Sequence, residues 1–295
     1  MKVGMTKEGF RGTVTEVTPT DRVLVDLRCM WPHVLSVTIL LFLASTYAAS
    51  FASAALQIPA PDLYTILLSG VTVIVLHESL HAAARLAGVR VKLGLGRVGP
   101  LPVAYVSHEE ALPLSAYRWV ALAPLAVLTP LSLAAAVALA RPMPELSSFL
   151  LVTAVLNTCG SGGDLLLYSI VAGAPSDALV VDMGAAVEVR GWSQRPRVPL
   201  AAEWCTLFLL CFIAVAAASV AASLAVRGTV SVGPLVMAKA LVSVGKGFTV
   251  EVSLGPGTLL LSFLAATLLL ALRKPTLISH RSACGTVMSG NDSDE

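Results

Sequence analysis

The sequence contains 295 residues, of which 56% are hydrophobic and only 13% are charged, and its mean hydropathy is +0.81. A soluble domain usually carries about 25% charged residues, so this chain lacks the polar side chains needed to cover a globular surface. Disorder is excluded because the chain has too much apolar surface to leave in water. A net charge of +2 with scattered basic residues gives no footprint for nucleic acid, and we expect no such partner. The composition predicts an integral membrane protein in contact with the lipid bilayer.

Six apolar stretches are long enough to cross a bilayer core of about 30 Å, which takes roughly 20 helical residues. They are 31–56, 63–86, 118–140, 147–172, 204–226 and 253–272. A further apolar stretch, 229–250, contains Lys239, Lys246 and several glycines, so we interpret it as interfacial or re-entrant rather than spanning. The predicted fold class is all-α, a polytopic transmembrane helix bundle of about six spans.

The polar remainder of the chain is small and alternates apolar with polar residues. Residues 10–28, 88–106 and 177–190 show this pattern around turn residues, which predicts small cytoplasmic β-hairpin elements. We divide the chain into an N-terminal hairpin segment (1–30), a transmembrane domain (31–272, core 63–172) and an acidic, disordered tail (273–295).

The distribution of basic residues predicts the orientation in the membrane. With six spans, sixteen of the twenty Lys and Arg residues fall on the side that holds both termini, and four fall on the other side. Because basic residues concentrate in cytoplasmic segments, we expect the N- and C-termini to be cytoplasmic.

Ionisable side chains inside the predicted spans are few, and they form a pattern. The second span carries His77, Glu78 and His81 in the order H-E-x-x-H. Histidines four residues apart lie on one helical face and can reach one tetrahedral zinc ion, while Glu78 is placed to accept a proton from the attacking water. The alternatives are two histidines that cap a helix end, or a chance match. The motif predicts one Zn²⁺ per chain.

A zinc site needs a third protein ligand, and Asp164 on the fourth span is the candidate. At 1.5 Å per residue, His77 and His81 lie about 21 and 27 Å from the external end of their span, and Asp164 about 26 Å from that of its own. The glycines before Asp164 predict a break in the helix. The alternative is a face of small residues that packs against a neighbouring helix, with an inward-pointing aspartate.

Three further polar positions, outside the proposed ligands, also have sequence interpretations. Asn157, two helical turns before Asp164, is a candidate to support a ligand or the substrate backbone, with an interhelical hydrogen bond as the alternative. His108, with the two glutamates that follow it, is predicted to lie in a solvated loop, and Asp182 to be a turn residue.

The segments HESLHAAARLAG, VALAPLAVLTP and NTCGSGGDLLLY resemble a prokaryotic family of membrane zincin peptidases, many of whose members were classed only as a domain of unknown function. The resemblance covers about residues 70–190. The arrangement of these motifs is also similar to that in site-two proteases, which are intramembrane enzymes with H-E-x-x-H on one helix and an aspartate two helices later. It implies zinc ligands His77, His81 and Asp164, with Glu78 as general base. In those enzymes a glycine follows the aspartate, whereas Leu165 follows it here.

These observations favour a membrane-embedded zinc metalloprotease of a prokaryotic cell membrane, with its active site toward the cytoplasm and a membrane protein or peptide as substrate. One alternative is a zinc-binding pseudoprotease or scaffold without catalysis; Glu78 disfavours it, because metal holding needs no carboxylate between the histidines. The other is a metal-ion transporter, which the absence of a sequence repeat and of further charged spans disfavours. The substrate's identity and the oligomeric state do not follow from the sequence.

Overall fold

The computed structural model describes residues 22–83, 89–194, 196–226, 229–232, 234–244 and 248–273, and these are mainly helical with three small sheets. The helices are α1 (Trp31–Leu56), α2 (Leu63–His81), α3 (Leu114–Ala123), α4 (Thr129–Leu139), α5 (Pro144–Gly160), α6 (Gly162–Val171), α7 (Leu200–Val226) and α8 (Pro256–Leu272). Within these described ranges, five helical segments are long and apolar enough to cross a membrane: Leu27–Leu56, Leu63–His81, Leu114–Leu139, Pro144–Val171 and Leu200–Val226. The fold is therefore compatible with membrane insertion. The last apolar helix, α8, is shorter, with 17 residues.

The ends of α1 and α2 follow from local sequence. Pro32 occupies the first turn of α1, where its missing N–H costs no hydrogen bond, and Gln57 ends the helix in a left-handed conformation at φ 56°. The Asp62 side chain caps α2 by accepting a hydrogen bond from the Thr65 N–H at 2.7 Å. The α-helix ends at His81, earlier than the residue 86 expected from the apolar pattern, so the H-E-x-x-H motif occupies its last turns.

The third apolar segment is interrupted at its prolines. Residues Pro124–Leu128 form a π-helical turn between α3 and α4. Pro130 begins the turn that follows and has no N–H to donate to the preceding turn, so the regular hydrogen-bond pattern cannot continue through it.

The fourth segment is also interrupted, as its glycines predict. α5 ends at Gly160, Ser161 adopts a non-helical ψ of 3°, and α6 begins at Gly162. A Cβ at Gly162 would lie 2.5 Å from the Thr38 hydroxyl, so this glycine lets α6 approach α1 closely. Asp164 therefore stands in the first turn of a new helix.

In the part of the chain that the structure describes, nine strands form the sheets: β1 (Arg22–Asp26), β2 (Val91–Val98), β3 (Leu101–His108), β4 (Leu112–Pro113), β5 (Leu179–Asp182), β6 (Ala186–Arg190), β7 (Thr229–Val232), β8 (Leu235–Val244) and β9 (Phe248–Leu254). The orders are β1-β6-β5-β4, β2-β3 and β7-β8-β9, all antiparallel. The hairpins expected within 88–106 and 177–190 are confirmed as β2–β3 and β5–β6.

Two stretches have structures that the sequence analysis did not specify. The described residues of 229–250 form β7, β8 and the start of β9, in which β-branched residues recur along the strands; the interfacial or re-entrant position of this stretch stays a prediction. The hairpin expected at 10–28 lies partly outside the described residues, and its described strand β1 pairs with the distant β6.

Helix α5 is central to the packing, in contact with α1, α2 and α4, while α7 packs on α1 and α8 on α7. The main apolar core lies where α3 and α6 meet the four-stranded sheet and includes Tyr117, Leu166, Val171, Val180 and Val187, all at most 2% exposed. This core fixes the end of the bundle that carries Asp164, because α6 is built into it.

Candidate metal centre

The last turns of α2 and the first turn of α6 bring His77, His81 and Asp164 together. The Asp164 Oδ2 atom lies 3.1 Å from His77 Nε2 and 3.5 Å from His81 Nε2, and the two Nε2 atoms are 3.2 Å apart. The sequence placed these three residues at similar depths, and the structure joins them in one cluster that could hold a metal ion.

The hydrogen bonds on the far side of each ring determine which nitrogen carries the proton. His77 Nδ1 donates to the Asn157 amide oxygen at 3.0 Å, and His81 Nδ1 donates to the Val120 carbonyl at 3.0 Å. In the neutral rings both Nε2 atoms are therefore unprotonated. Two nitrogen lone pairs and a carboxylate oxygen point at one another, an arrangement that a cation between them would stabilise.

The spacing of these three atoms fits a tetrahedral metal. Bonds of about 2.0–2.1 Å to a tetrahedral zinc ion place its ligand atoms roughly 3.3–3.4 Å apart. The three observed separations, 3.1, 3.2 and 3.5 Å, bracket that value. The donor set of two imidazoles and one carboxylate also matches that of catalytic zinc sites, which leave a fourth position for water or substrate.

Asn157 connects this centre to the π-helical turn. Its amide nitrogen donates to the Pro124 carbonyl at 2.8 Å and to the Thr129 hydroxyl at 2.9 Å, so its oxygen is the atom that faces His77. The residue is fully buried. The sequence suggested either support of a ligand or an interhelical bond, and in the structure Asn157 makes both contacts.

Glu78 stands beside the cluster, next to the backbone of Val106 on β3. One of its carboxylate oxygens, Oε2, is buried without a hydrogen-bond partner among the described residues. A buried, unpaired carboxylate oxygen is costly, and such groups in native proteins usually have a functional reason. The atom is free to accept a hydrogen bond from a molecule that enters the site.

A cavity of about 310 Å³, here called the catalytic cavity, is lined by His77, Glu78, His81 and Asp164. Val34 and Thr38 of α1 form one wall, and strand β3 forms the roof with residues 101–106. The roof is pinned at Tyr105, because a Cβ at Gly184 (φ +86°) would lie 2.2 Å from the Tyr105 ring.

Two residues of this cavity were misread or missed from the sequence. His108 is 3% exposed, not solvated, and its Nδ1 bonds the Glu110 carbonyl at 2.9 Å while its Nε2 has no partner among the described residues. Burial lowers the pKa of His108 because it disfavours the charged imidazolium. His108 is buried because it lies two positions after Val106 on β3, on the same buried side of the strand.

Asp182 is a turn residue, as predicted, since its Oδ1 accepts the Gly184 N–H at 2.7 Å. It also lines the catalytic cavity, which the sequence did not indicate. Burial raises the pKa of Asp182 to about 7, and the Gly184 hydrogen bond opposes this effect only in part. The carbonyl of Val120, which orients His81, carried no sequence signal because any residue supplies a backbone oxygen.

With this geometry in place, comparison with known proteins identifies the region. Residues 70–179 match the family model described as "Putative zincin peptidase". The matched range runs from the middle of α2 to the first residue of β5 and contains His77, Glu78, His81, Asn157 and Asp164. It confirms the family resemblance predicted from the two motifs. The family description indicates a hydrolase of the zinc-dependent peptidase type.

An uncharacterized 24.7 kDa protein of Pyrococcus woesei is 33% identical to this chain over 124 residues. The aligned part covers 41% of this chain and 53% of the relative, so the chain spans about half the length of the curated relative that it matches. No solved structure matches the chain.

Proposed function

We propose that this protein is a membrane-embedded zinc metalloprotease that hydrolyses peptide bonds of membrane-associated proteins or peptides. The observation that carries the proposal is the convergence of His77 Nε2, His81 Nε2 and Asp164 Oδ2 within 3.5 Å of one another, with the Glu78 carboxylate, whose Oε2 has no partner among the described residues, lining the same cavity. The match of residues 70–179 to a zincin peptidase family supports the same reaction class.

The membrane part of the proposal rests on the helices. The five long apolar segments span the bilayer, and α8 is the sixth span, because its 17 residues reach about 26 Å at 1.5 Å per residue. Six spans place both termini on the same side, and the excess of basic residues makes that side the cytoplasm of a prokaryotic cell. His81 ends α2, so the metal centre lies near the cytoplasmic surface.

His77, His81 and Asp164 would hold one zinc ion in each chain. Imidazole nitrogens favour zinc over calcium or magnesium, which prefer sites built from oxygen alone. When bound, zinc supplies a Lewis acid that polarises the scissile carbonyl and lowers the pKa of water. Asn157 and the Val120 carbonyl hold the two rings so that their Nε2 lone pairs face the ion.

Glu78 acts as the general base. Its unpaired Oε2 accepts a proton from the attacking water and later delivers it to the leaving amine. Glu78 follows His77 directly in the chain and lines the catalytic cavity, so it lies within reach of a peptide that enters there.

Strand β3 presents the substrate to these groups. Among the described residues β3 pairs only with β2, and its backbone passes Glu78 at Val106. An extended substrate segment can add to the free edge of β3 by backbone hydrogen bonds, which exposes a peptide bond that a helix would hide.

The experiment is metal analysis and peptide hydrolysis with detergent-purified protein. We expect about one zinc ion per wild-type chain, loss of zinc and activity together in His77→Ala, and retained zinc with at least roughly 10²-fold slower hydrolysis in Glu78→Gln. His33→Ala is the control: His33 bonds Thr206 at 2.7 Å away from the cluster and should keep its zinc.

Equal zinc content in wild type and His77→Ala would exclude the proposed ligands. Wild-type hydrolysis by Glu78→Gln would exclude the proposed base. Zinc bound at the site of a wild-type chain that cleaves no membrane-anchored peptide would instead favour a scaffold.

A further inference from the structure

The catalytic cavity contains a third carboxylate that the proposed reaction does not use. Asp182, at the end of β5, lines this cavity together with Glu78 and Asp164. The charges of Glu78, His81 and Asp164 all act on its carboxyl group, so it lies close enough to the metal centre to interact with it electrostatically. Among the described residues, no hydrogen bond or ion pair joins Asp182 to a metal ligand. Asp182 is therefore a neighbour of the proposed ligands and not one of them.

The turn after β5 accounts for only one of the two Asp182 oxygens. Oδ1 accepts the Gly184 N–H at 2.7 Å, a bond that the neutral oxygen of asparagine or serine could also accept. Oδ2 has no hydrogen-bond partner among the described residues. Burial raises the pKa of Asp182 to about 7, because an ionised carboxylate without a partner is costly there. A carboxylate in this position is stabilised by a cation that can reach it.

The charges in the catalytic cavity do not balance when zinc is bound. The two ligand histidines are neutral, because each keeps its Nδ1 proton in a hydrogen bond to the Asn157 side chain or the Val120 carbonyl. The charge of one zinc ion is cancelled by the carboxylates of Asp164 and Glu78. An ionised Asp182 then adds one negative charge, and no lysine or arginine is found among the described lining residues.

The basic residues on the neighbouring strands do not supply the missing charge. Lys92 of β2 forms an ion pair with Glu109, and Arg190 of β6 forms one with Glu188 at 2.7 Å. Arg97 of β2 is exposed and does not line the catalytic cavity. Within the described part of the chain, compensation of the Asp182 charge is left to a bound molecule.

The walls of the catalytic cavity fit a basic side chain. They are mainly apolar and include Val103 of β3, Val120 of α3 and Leu167 of α6. Lysine and arginine cover apolar surface with their methylene groups while the charged end reaches a polar partner. An acidic side chain in the same position would instead be repelled by the uncompensated carboxylate.

We infer that Asp182 binds a positively charged group of the substrate, namely the side chain of a lysine or arginine close to the cleaved peptide bond. This inference deepens the proposed function and rests on it. One cavity of about 310 Å³ holds both Asp182 and the metal ligands, so the basic residue lies within a few positions of the cleaved bond. Asp182 is then a residue that determines specificity.

Basic residues are common where the proposed site would meet its substrate. Lysine and arginine concentrate in the cytoplasmic segments next to membrane spans, and the metal centre is proposed to lie near the cytoplasmic surface. The free amino group at the start of a polypeptide carries the same charge. The test therefore separates a basic side chain from an amino terminus.

The test measures peptide binding by the full zinc-loaded chain in detergent. The chain carries Glu78→Asp, which keeps the charge of the base and slows hydrolysis by moving it away from the reacting water. The probes are fluorescent, acetylated peptides of about 20 leucine and alanine residues followed by about four polar ones. One arginine, or citrulline as its uncharged analogue of similar size, occupies each polar position in turn.

The best arginine peptide should bind about tenfold or more tightly than its citrulline counterpart, as expected for a partly buried charge pair. Adding Asp182→Asn should reduce this ratio to less than about twofold. Asp182→Ser, which also keeps an oxygen for the Gly184 N–H, should do the same. Asp177→Asn is the matched control, because it removes an equal charge from an exposed position just before β5 and should leave the ratio unchanged. Zinc content checks that each variant is folded.

Three results would overturn the role of Asp182 in binding a basic side chain. They are equal binding of the arginine and citrulline peptides, a ratio that survives both Asp182 substitutions, and an equal loss of the ratio in Asp177→Asn. A fourth concerns a peptide without arginine whose polar residues precede the span. If only its free amino terminus, and no arginine, gave Asp182-dependent binding, the charge would belong to the amino terminus.

Failure of the proposed function is seen separately. It would appear as a wild-type chain that binds no zinc or cleaves neither peptide, whereas the binding ratios are measured without cleavage. If the wild-type chain does cleave, its kcat/KM should favour the arginine peptide over the citrulline peptide by about tenfold, and Asp182→Asn should remove this preference.

Discussion

Asn157 accepts the Nδ1 proton of His77 at 3.0 Å, and the same amide is held by two donated bonds from its nitrogen. The amide cannot rotate without losing one of these three bonds. It therefore fixes both the position of the His77 ring and the nitrogen that carries its proton, and the free lone pair is directed at His81 and Asp164. The affinity of the proposed zinc site would thus depend on a residue outside its ligand set.

Asn157→Leu should lower zinc affinity by roughly 10–100-fold, because loss of a hydrogen bond to a metal-ligating histidine has an effect of that size. Leucine fills a similar volume but cannot accept the Nδ1 proton. Competition with a zinc-binding dye measures the change. Thr153→Val, one turn earlier on α5 and equally buried, is the control and should retain wild-type affinity, since Thr153 bonds only the Phe149 carbonyl of its own helix. An unchanged affinity in Asn157→Leu would remove its proposed support of His77.

Gly184→Ala should destabilise the protein through two separate effects. The backbone there has φ +86°, which costs an alanine about 1–2 kcal/mol, and the new Cβ would lie 2.2 Å from the Tyr105 ring. The double variant Gly184→Ala/Tyr105→Ala should recover the part due to the ring contact and retain the part due to the backbone. Thermal unfolding in detergent separates the two contributions. Gly173→Ala, whose Cβ would have ordinary contacts at 3.5 Å, is the control. If Gly184→Ala melts at the wild-type temperature, Tyr105 does not pin the roof there.

The metal-free protein should become less stable as the pH rises, because Asp182 loses its proton. Burial raises the pKa of Asp182 from 3.8 to about 7, so the folded state binds this proton more tightly than the unfolded chain does. The stabilisation that this proton provides is complete below the pKa of Asp182 in the unfolded chain. It is lost as the pH rises through the pKa of Asp182 in the folded state. Asp182→Asn keeps an oxygen for the Gly184 N–H but cannot ionise. We expect its melting temperature to exceed that of wild type by a few degrees near pH 8 and to match it near pH 4. A difference independent of pH would contradict this origin.

The orientation predicted from the basic residues is testable with fusions. A reporter after residue 295 should be active on the cytoplasmic side, and one inserted near Arg141, between α4 and α5, on the external side. Fluorescent-protein and alkaline-phosphatase fusions give opposite signals on the two sides. Termini on opposite sides of the membrane would mean that α8 does not span it.

The cluster of His77, His81 and Asp164 could be predicted from the sequence for a physical reason. Charged side chains are costly in apolar helices, so His77, His81 and Asp164 stood out from their surroundings, and helical geometry then gave their spacing. The Gly160–Gly163 run predicted the break before Asp164. Each of these features is determined by residues that lie close together in the sequence.

Long-range assembly was not accessible in the same way. The pairing of β1 with β6 joins residues more than 150 positions apart, and no local pattern specifies the partner of an edge strand. The stretch 229–250 was read by its hydropathy and its lysines, whereas strand formation depends on alternate residues finding a surface to cover, here α7 and α8. His108 was read as part of a charged loop because the strand that buries it continues two residues beyond the expected hairpin.

The break at Ser161 divides the ligands of the centre between two differently anchored bodies. α5 holds His77 through Asn157 within the helical bundle, whereas α6 carries Asp164 and belongs to the apolar core around the four-stranded sheet. An ion bound by both helices would link these two parts of the structure. Its binding energy would contribute to holding the four-stranded sheet against the helical bundle. By linkage, a change that displaces the sheet from the bundle would also weaken the binding of such an ion.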